Sequence, residues 1–162
     1  MTDWKGKVVL LTGASSGIGE GIALALAKKG ATLGLLARRE ELLLDLAKRC
    51  ETAGGQARIF VADVTDADAV REAANSLREE FDYIDVMIAN AGVNGKDESV
   101  RTHVPSAVSK VFNINLMGAI NAVHAVLPEM LEHGSGQLVA ISSLAGIRGL
   151  PKSAAYSASK AA

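Results

Sequence analysis

Short apolar runs alternate with amphipathic stretches along the chain. The runs have the continuous hydrophobic character of parallel strands buried on both faces. They occupy residues 8–11, 33–37, 58–62, 85–89 and 138–141. The stretches between them repeat apolar residues at helical spacing. These predicted helices cover residues 17–29, 40–51, 70–81 and 105–133, and a last helix is predicted to begin near residues 153–156.

The alternation predicts a doubly wound α/β fold in a single domain over residues 1–162. Repeated strand–helix units favour parallel strands joined by right-handed crossovers, with helices on both faces of the sheet. The expected strand order is 3-2-1-4-5, which places a ligand crevice at the carboxyl ends of strands 1 and 4. In the long fourth helix, Pro105 fits the first turn, whereas Pro128 is predicted to kink or interrupt the last turns.

Composition and charge argue against several classes of partner. Hydrophobic residues make up 49% of the chain and charged residues 22%, and the net charge is −1. Such a balance does not favour a nucleic-acid or anionic-membrane partner. No apolar run is expected to reach the length of a bilayer span, and the first residues lack the order of a signal peptide. We therefore expect a cytoplasmic protein.

Cysteine and histidine show no metal-binding pattern. Cys50 is the only cysteine, so neither an intrachain disulfide nor a cysteine metal cluster is expected. His103, His124 and His133 match no ligand spacing, and we interpret the last two as packing or surface residues. No metal is predicted.

A glycine-rich loop follows the first predicted strand. Gly13, Gly17 and Gly19 lie between this strand and the first helix, where glycine permits a tight turn and a close approach to a pyrophosphate. The helix N-terminus adds free N–H groups and a positive dipole end. The spacing is Gly-x-x-x-Gly-x-Gly, which departs from the common dinucleotide fingerprint. Its position favours a dinucleotide cradle, although glycines also serve tight turns for purely structural reasons.

The residues after the second strand bear on the choice between NAD and NADP. An acidic residue at this strand end would bind the ribose hydroxyls of NAD, but the chain has Ala37 there, followed by Arg38 and Arg39. The missing carboxylate removes repulsion of a 2′-phosphate, which an arginine can hold through two hydrogen bonds. We predict a preference for NADP, with Arg38 as the main contact. The alternative interpretation is a solvated start of the second helix.

Several motifs follow one another over nearly the whole chain. They are Thr12-Gly13-Ala14-Ser15-Ser16-Gly17-Ile18-Gly19, Asp63-Val64, Asn90-Ala91-Gly92, Asn115, Ile141-Ser142-Ser143 and Tyr156-Ser157-Ala158-Ser159-Lys160. Their order and spacing resemble the short-chain dehydrogenase/reductase family, in its smaller single-domain branch. The resemblance implies a Rossmann-like fold and an oxidoreductase that transfers a hydride between nicotinamide and a ketone or secondary alcohol.

The resemblance also implies roles in cofactor binding. Asp63 would meet the adenine ring, and residues 90–92 would stabilise the central sheet and line the cofactor, although this segment could serve only to end strand 4. Ala89 replaces the asparagine that often precedes Asn90 in the family. The predicted cofactor-binding residues are Gly13, Ser15, Ser16, Gly17, Ile18, Gly19, Arg38, Arg39, Asp63, Val64, Asn90, Ala91, Gly92, Tyr156 and Lys160.

By the same resemblance, the predicted catalytic residues are Asn115, Ser143, Tyr156 and Lys160. Ser143 stands thirteen positions before Tyr156, the family's usual separation, and its neighbour Ser142 is the less favoured partner. We choose Asn115 over Asn113 because it directly precedes a leucine and stands three positions before a glycine.

Tyr156 and Lys160 suit proton transfer beside a hydride. Their separation of four residues lets both project from one face of a helix. A tyrosine side chain has an unperturbed pKa of about 10, and a nearby positive charge favours its phenolate form. Ser143 could hydrogen-bond the substrate oxygen as an oxyanion donor. The resemblance adds that the lysine binds the nicotinamide ribose and that the asparagine anchors a water.

The chain is shorter than the roughly 250 residues usual in the family, so the domain is expected to be incomplete at its C-terminus. It is either part of a longer enzyme, which we favour, or a true fragment with weak cofactor binding and negligible turnover. Relatives commonly associate through helices 4 and 5, so the resemblance implies a homodimer or homotetramer. Residues 93–104 either shape the substrate pocket or form a solvated connection.

Other functions are compatible with the same fold. A non-catalytic nucleotide-binding regulator is one, but the intact Ser143, Tyr156, Lys160 and Asn115 argue against it. Epimerisation or dehalogenation is another, but dehalogenating relatives lack the glycine loop. We expect a small-molecule carbonyl or alcohol substrate, whose identity the sequence leaves open.

Overall fold

The computed structural model describes residues 4–95 and 104–162 of the chain. At its centre lies a parallel β-sheet. Its strands are β1 (Val8–Thr12), β2 (Thr32–Ala37), β3 (Gln56–Val61), β4 (Val86–Ala89) and β5 (Gln137–Ala140). They are arranged in the order β3-β2-β1-β4-β5 with every neighbouring pair parallel, which confirms the predicted doubly wound topology.

Helices connect the strands and cover the sheet. They are α1 (Gly17–Ala27), α2 (Glu40–Thr52), α3 (Ala67–Phe81), α4 (Pro105–Phe112), α5 (Gly118–His124), α6 (Leu127–His133), α7 (Leu144–Ile147) and α8 (Ala154–Ala161). Most ends lie within a few residues of the predicted ones. Helix α7 was not predicted, because so short a helix has no periodic apolar stripe.

The structure is helical over the long stretch predicted for residues 105–133, but this stretch contains a π-helical turn that was not predicted. Helices α4 and α5 are joined by a π-helical turn at Asn113–Met117, in which the N–H of Gly118 donates to the carbonyl oxygen of Asn113. The predicted interruption near Pro128 is present. It falls just before the proline, which occupies the first turn of α6, where its missing N–H costs no hydrogen bond.

The helical segment Pro105–His133 is also long and apolar enough, by length and composition alone, to cross a membrane. This corrects the expectation that no apolar run approaches that length. In the structure, the segment packs against the sheet and buries Ile114, Ala122 and Val126 in the core. Packing therefore accounts for the buried part of its apolar surface, whereas Ile120 and Leu131 are exposed.

Two hydrophobic layers lie on opposite faces of the sheet. Along β1, Val8 and Leu10 enter one layer while Val9 and Leu11 enter the other, because successive strand residues point to opposite faces. The first layer draws further residues from α3 and α5, and the second from α1 and α2. Burial on both faces explains why β1, β2 and β4 have continuous apolar sequences.

Strand β5 is the least covered strand of the sheet. Within the described residues it pairs only with β4, and Leu138 is 40% exposed. The carboxyl ends of all the strands lie along one edge of the sheet, and the connections that leave this edge carry most of the predicted site residues.

Candidate active site

A cleft of about 490 Å³ lies at the carboxyl ends of the strands. It brings together most of the residues predicted from the sequence, which come from the loops after β1, β2, β3 and β4, from the first turn of α1 and from helix α8. These are Gly13, Ser15, Ser16, Ile18, Gly19, Arg38, Arg39, Asp63, Val64, Asn90, Ala91, Gly92, Tyr156 and Lys160. The structure does not place Gly17, Asn115 or Ser143 in the cleft lining.

The glycine loop is shaped by close backbone contacts. Gly13 has a left-handed φ of +66°, and a Cβ atom there would lie 2.7 Å from the Cα of Ala91. A Cβ on Gly19 would lie 2.3 Å from the carbonyl oxygen of Gly13. Gly17 also has a positive φ, of +60°, at the start of α1. Glycine is therefore required here by space and conformation, which leaves the N-terminus of α1 open for an anion.

Asn90 and Thr12 join the glycine loop to the end of β4. The Nδ2 atom of Asn90 donates to the carbonyl oxygens of Thr12 (3.0 Å) and Gly13 (3.2 Å). In return, Thr12 Oγ1 accepts from the backbone N–H groups of Asn90 (3.1 Å) and Ala91 (3.2 Å). The sequence interpretation assigned no role to Thr12, although a polar residue at the end of an apolar strand was a usable signal.

Arg38 and Arg39 point to different parts of the cleft. Arg39 Nη2 donates to Ser15 Oγ (2.9 Å) and Ser16 Oγ (2.7 Å), so its guanidinium lies against the glycine loop. Arg38 instead pairs with Asp63 at a distance of 3.4 Å between Nη1 and Oδ2. Of the two arginines, Arg39 is therefore the one that hydrogen-bonds to two serine hydroxyl groups.

Asp63 keeps its negative charge readily. The Thr65 backbone N–H, which donates to Oδ1 at 3.0 Å, is the main cause that lowers the pKa of the Asp63 carboxyl, and the Thr65 hydroxyl and Arg38 lower it further against the opposing effect of burial. The carboxylate thus lies at the end of β3 as a charged acceptor on the cleft wall.

Tyr156 and Lys160 both line the cleft from helix α8. Lys160 Nζ donates to the carbonyl oxygen of Ile141 at 2.7 Å, which holds the ammonium group beside the end of β5. A Cβ on Gly92 would lie 3.5 Å from this nitrogen, so the ammonium also sits next to the loop after β4. The cation is therefore fixed between two strand ends and the tyrosine-bearing helix.

Asn115 lies in the π-helical turn and is 5% exposed. Its Oδ1 accepts from the N–H of Val93 (2.8 Å), and its Nδ2 donates to the carbonyl oxygen of Val93 (3.0 Å) and to Ser159 Oγ (2.9 Å). Asn113, the rejected candidate, is exposed. π-Helical turns often occur at functional sites. In this turn, the side chain of Asn115 points into the protein interior.

The sequence favoured Ser143 over Ser142 as the serine of the site, but the structure places Ser142 in the cleft lining. Ser143 Oγ accepts from the N–H of Ala145 (3.1 Å) as the N-cap of α7, whereas Ser142 lines the cleft and donates to the carbonyl oxygen of Lys160 (3.0 Å). The cap uses only an oxygen lone pair of Ser143, so its hydroxyl hydrogen stays available for donation.

Two further expectations concern metal ligands and the segment of residues 93–104. Among residues 4–95 and 104–162, no three His, Cys, Asp or Glu side chains are grouped to hold a metal ion. His103 and most of the segment 93–104 lie outside the described residues, so the two interpretations of that segment stay open.

Comparisons with known proteins agree with this architecture. The family model described as short chain dehydrogenase matches residues 7–162, so the chain belongs to the short-chain dehydrogenase family. It is 42% identical over 162 residues to an uncharacterized oxidoreductase of Myxococcus xanthus, covering 99% of this chain and 63% of that protein. It is 38% identical to a fatty acyl-CoA reductase of Acinetobacter baylyi, covering 98% of this chain and 54% of the reductase.

Solved structures show the same fold with either nicotinamide cofactor. A NAD+-bound xylitol dehydrogenase superposes with a TM-score of 0.95 at 35% identity, covering 99% of this chain and 62% of that one. A metagenomic short-chain oxidoreductase in complex with NADP gives 0.91 at 33% identity, covering 98% and 72%. The chain thus spans less than two thirds of the length of the curated relatives described above.

Proposed function

We propose that the protein is an NADP(H)-dependent oxidoreductase that transfers a hydride between the nicotinamide and a small-molecule ketone or secondary alcohol. Membership of an oxidoreductase family that binds nicotinamide cofactors supports this proposal. The observation that carries it is that Tyr156 and Lys160 line the same cleft as the glycine loop. A dinucleotide bound along this cleft would join the two.

The glycine loop fits the pyrophosphate of such a cofactor. Side chains are excluded from Gly13 and Gly19 by contacts under 3 Å, so the backbone and the N-terminus of α1 can approach the phosphates closely. Asp63 and Val64 would hold the adenine end, and Asn90 to Gly92 would line the centre. Lys160 would bind the nicotinamide ribose, because Ile141 uses one of the three ammonium protons and leaves two for other acceptors.

Tyr156 is the proposed general acid and base. The bound nicotinamide would supply or accept the hydride. Tyr156 would donate its phenolic proton to the substrate oxygen, and Lys160, one helical turn away, would stabilise the phenolate left behind. Ser143 would donate its hydroxyl hydrogen to the same oxygen and stabilise the negative charge that develops there. Asn115 would anchor a water that feeds protons through Lys160, because its Oδ1 keeps one lone pair beside the bond from the Val93 N–H.

The preference for NADP rests on the end of β2. Ala37 offers no carboxylate to the ribose. Arg39 supplies positive charge beside Ser15 and Ser16, and Arg38 supplies it beside Asp63. The 2′-phosphate would take hydrogen bonds from a guanidinium and from serine hydroxyls. Arg38 remains a proposed contact, but the hydrogen bonds of Arg39 to both serines make Arg39 at least an equal candidate.

The remaining proposals concern the whole protein. We propose that it acts as a homodimer or homotetramer in the cytoplasm, without a nucleic-acid or membrane partner. The natural full-length protein is the form to test, since the chain spans 63% of its Myxococcus relative.

The test is consumption of NADPH and NADH by the purified full-length protein with a panel of ketones. We expect turnover with NADPH that Tyr156→Phe reduces by at least about a hundredfold, the lower end of the range for a lost general acid. Tyr83→Phe is the matched control, because Tyr83 bonds to Ser135 away from the cleft and should retain full activity. Equal turnover by Tyr156→Phe and the parent protein would refute the catalytic role and favour a nucleotide-binding regulator.

A further inference from the structure

A buried hydroxyl links the helix that carries Tyr156 and Lys160 to the π-helical turn. Ser159 is 5% exposed, and its Oγ accepts a hydrogen bond from Asn115 Nδ2 at 2.9 Å. The same oxygen donates to the backbone carbonyl oxygen of Tyr156 at 2.8 Å. One hydroxyl group therefore bonds to both Asn115 and the turn of α8 that contains Tyr156.

Every side-chain donor hydrogen in this link has an acceptor. A serine hydroxyl has one hydrogen, which goes to Tyr156, and lone pairs, one of which receives the Asn115 amide. Both N–H groups of Asn115 are used, one by Ser159 and one by the Val93 carbonyl oxygen, while its Oδ1 accepts from the Val93 N–H. A buried chain of this kind leaves an unpaired donor when one member is removed, which costs free energy.

This series of hydrogen bonds runs from Val93 in the loop after β4, through Asn115 in the π-helical turn, to Ser159 in helix α8. Val93 lines the cleft at one end, and Tyr156 lines it at the other. Ser159 itself does not line the cleft. Any role in turnover must therefore be exerted through the groups to which it bonds.

We propose that Ser159 is a positioning residue, which through its hydroxyl fixes the Tyr156–Lys160 turn against Asn115 and Val93. The proposal rests on the proposed function, because it assigns the support of the same catalytic groups. A displacement of about 1 Å in a catalytic group can cost about a hundredfold in rate, so loss of this support should appear in kcat.

The experiment compares Ser159→Ala with Ser157→Ala in the full-length protein. Ser157 is a matched control on the same helix, because it is 8% exposed and its Oγ, within residues 4–95 and 104–162, accepts from the Leu150 N–H alone. We expect Ser159→Ala to lower kcat about tenfold or more with the KM for NADPH within about twofold, and Ser157→Ala to keep the parent kcat. Ser159→Thr retains the hydroxyl and should restore most of the lost kcat. Equal kcat values for the two alanine variants would overturn the proposal.

A double-mutant cycle tests whether Ser159 acts through Asn115. If it does, Asn115→Ala combined with Ser159→Ala should be no slower than Asn115→Ala alone, because contacting residues in one network are not additive. Independent, multiplying losses in kcat would overturn the link.

Hydrogen exchange separates failure of this inference from failure of the proposed function. Absence of carbonyl reduction by the parent protein would contradict the function itself. The Val93 amide, which donates to Asn115, should in any case exchange faster in Ser159→Ala than in Ser157→Ala. Unchanged Val93 exchange in Ser159→Ala would refute the link.

Discussion

The Cβ position of Gly19 lies 2.3 Å from the carbonyl oxygen of Gly13. That oxygen also accepts a hydrogen bond from Asn90 Nδ2 at 3.2 Å, so it is held in place from the side of β4. Gly19 lies within helix α1 rather than in a left-handed turn. Glycine is therefore needed at position 19 because the loop approaches the helix closely there. This close approach shapes the entrance to the cleft.

Replacement of Gly19 by alanine should displace the glycine loop. We expect Gly19→Ala to lower the free energy of unfolding by about 1–3 kcal/mol, the usual cost of overpacking, and to weaken NADPH binding. Denaturant unfolding and fluorescence titration with NADPH measure the two effects.

Gly21→Ala is the control in the same helix. Nothing lies within 4 Å of a Cβ at this position, so alanine should leave cofactor binding unchanged and raise stability by up to about 1 kcal/mol. Equal behaviour of the two variants would show that the short contact at Gly19 is relieved at no cost.

Arg39→Ala tests the choice between cofactors. If the guanidinium beside Ser15 and Ser16 holds the 2′-phosphate, its loss should weaken NADPH binding by roughly 10- to 100-fold, the range for hydrogen bonds to a charged group. NADH binding should change by less than about threefold, since it lacks that phosphate. Titration of both cofactors against the parent protein and Arg38→Ala would rank the two arginines.

Arg49→Ala controls for a general loss of positive charge. Arg49 lies on α2 and pairs with Glu20 and Asp45, and it does not line the cleft. The Arg49→Ala variant should therefore keep the parent ratio of NADPH affinity to NADH affinity. An equal fall in that ratio for Arg49→Ala and Arg39→Ala would indicate a long-range field instead of direct contact.

Asp63 should contribute to stability in a defined acid range. The Thr65 backbone N–H lowers the pKa of Asp63 in the folded protein below its ordinary value of 3.8. The unfolded chain therefore binds the proton first, so this contribution is complete above pH 3.8 and is lost as the pH falls through the lower, folded-state pKa. Denaturant unfolding across this range should show a shallower acid decline for Asp63→Asn than for the parent. Thr65→Ala keeps the backbone bond and should preserve most of the decline.

Cys50 should make the protein less stable in alkaline solution. Burial raises the pKa of its thiol from 9.0 to about 11. The folded protein then holds a proton that the unfolded chain loses, so stability is complete below pH 9 and falls as the pH rises towards 11. Unfolding measurements over this range should give a smaller alkaline decline for Cys50→Ala. The native thiol should also resist alkylation until the protein unfolds.

The sheet was predictable because its strands are buried on both faces. The run from Val8 to Leu11 has no polar position, and such a run has few alternatives to a central parallel strand. The start of β4 was less clear from sequence. Asp85 was included in the predicted strand, but in the structure it precedes β4, where its carboxylate pairs with Lys7 and accepts from the Val8 N–H. The hydrophobic pattern shows that a polar residue stands at the start of this strand, but it does not show which residues that side chain bonds to.

The site was predictable where a motif fixes the backbone, and less so where a side chain selects among distant partners. The glycine loop and the Tyr156–Lys160 pair lie in the predicted cleft for this reason. The contact of Arg39 with Ser15 joins residues 24 positions apart and depends on the directions of two loops. Capping of α7 by Ser143 likewise required knowledge of a helix that has no apolar stripe.

The π-helical turn adds one residue to the helical segment between β4 and β5. Its hydrogen bond from Gly118 back to Asn113 encloses one residue more than an α-helical bond does. Deletion of one residue there would let the turn close with an α-helical hydrogen bond, which removes the wide turn that contains Asn115. Asn115 would then lose its bonds to Val93 and Ser159. Insertions and deletions should therefore be rejected in this segment, although its outer surface faces solvent as a tolerant loop does.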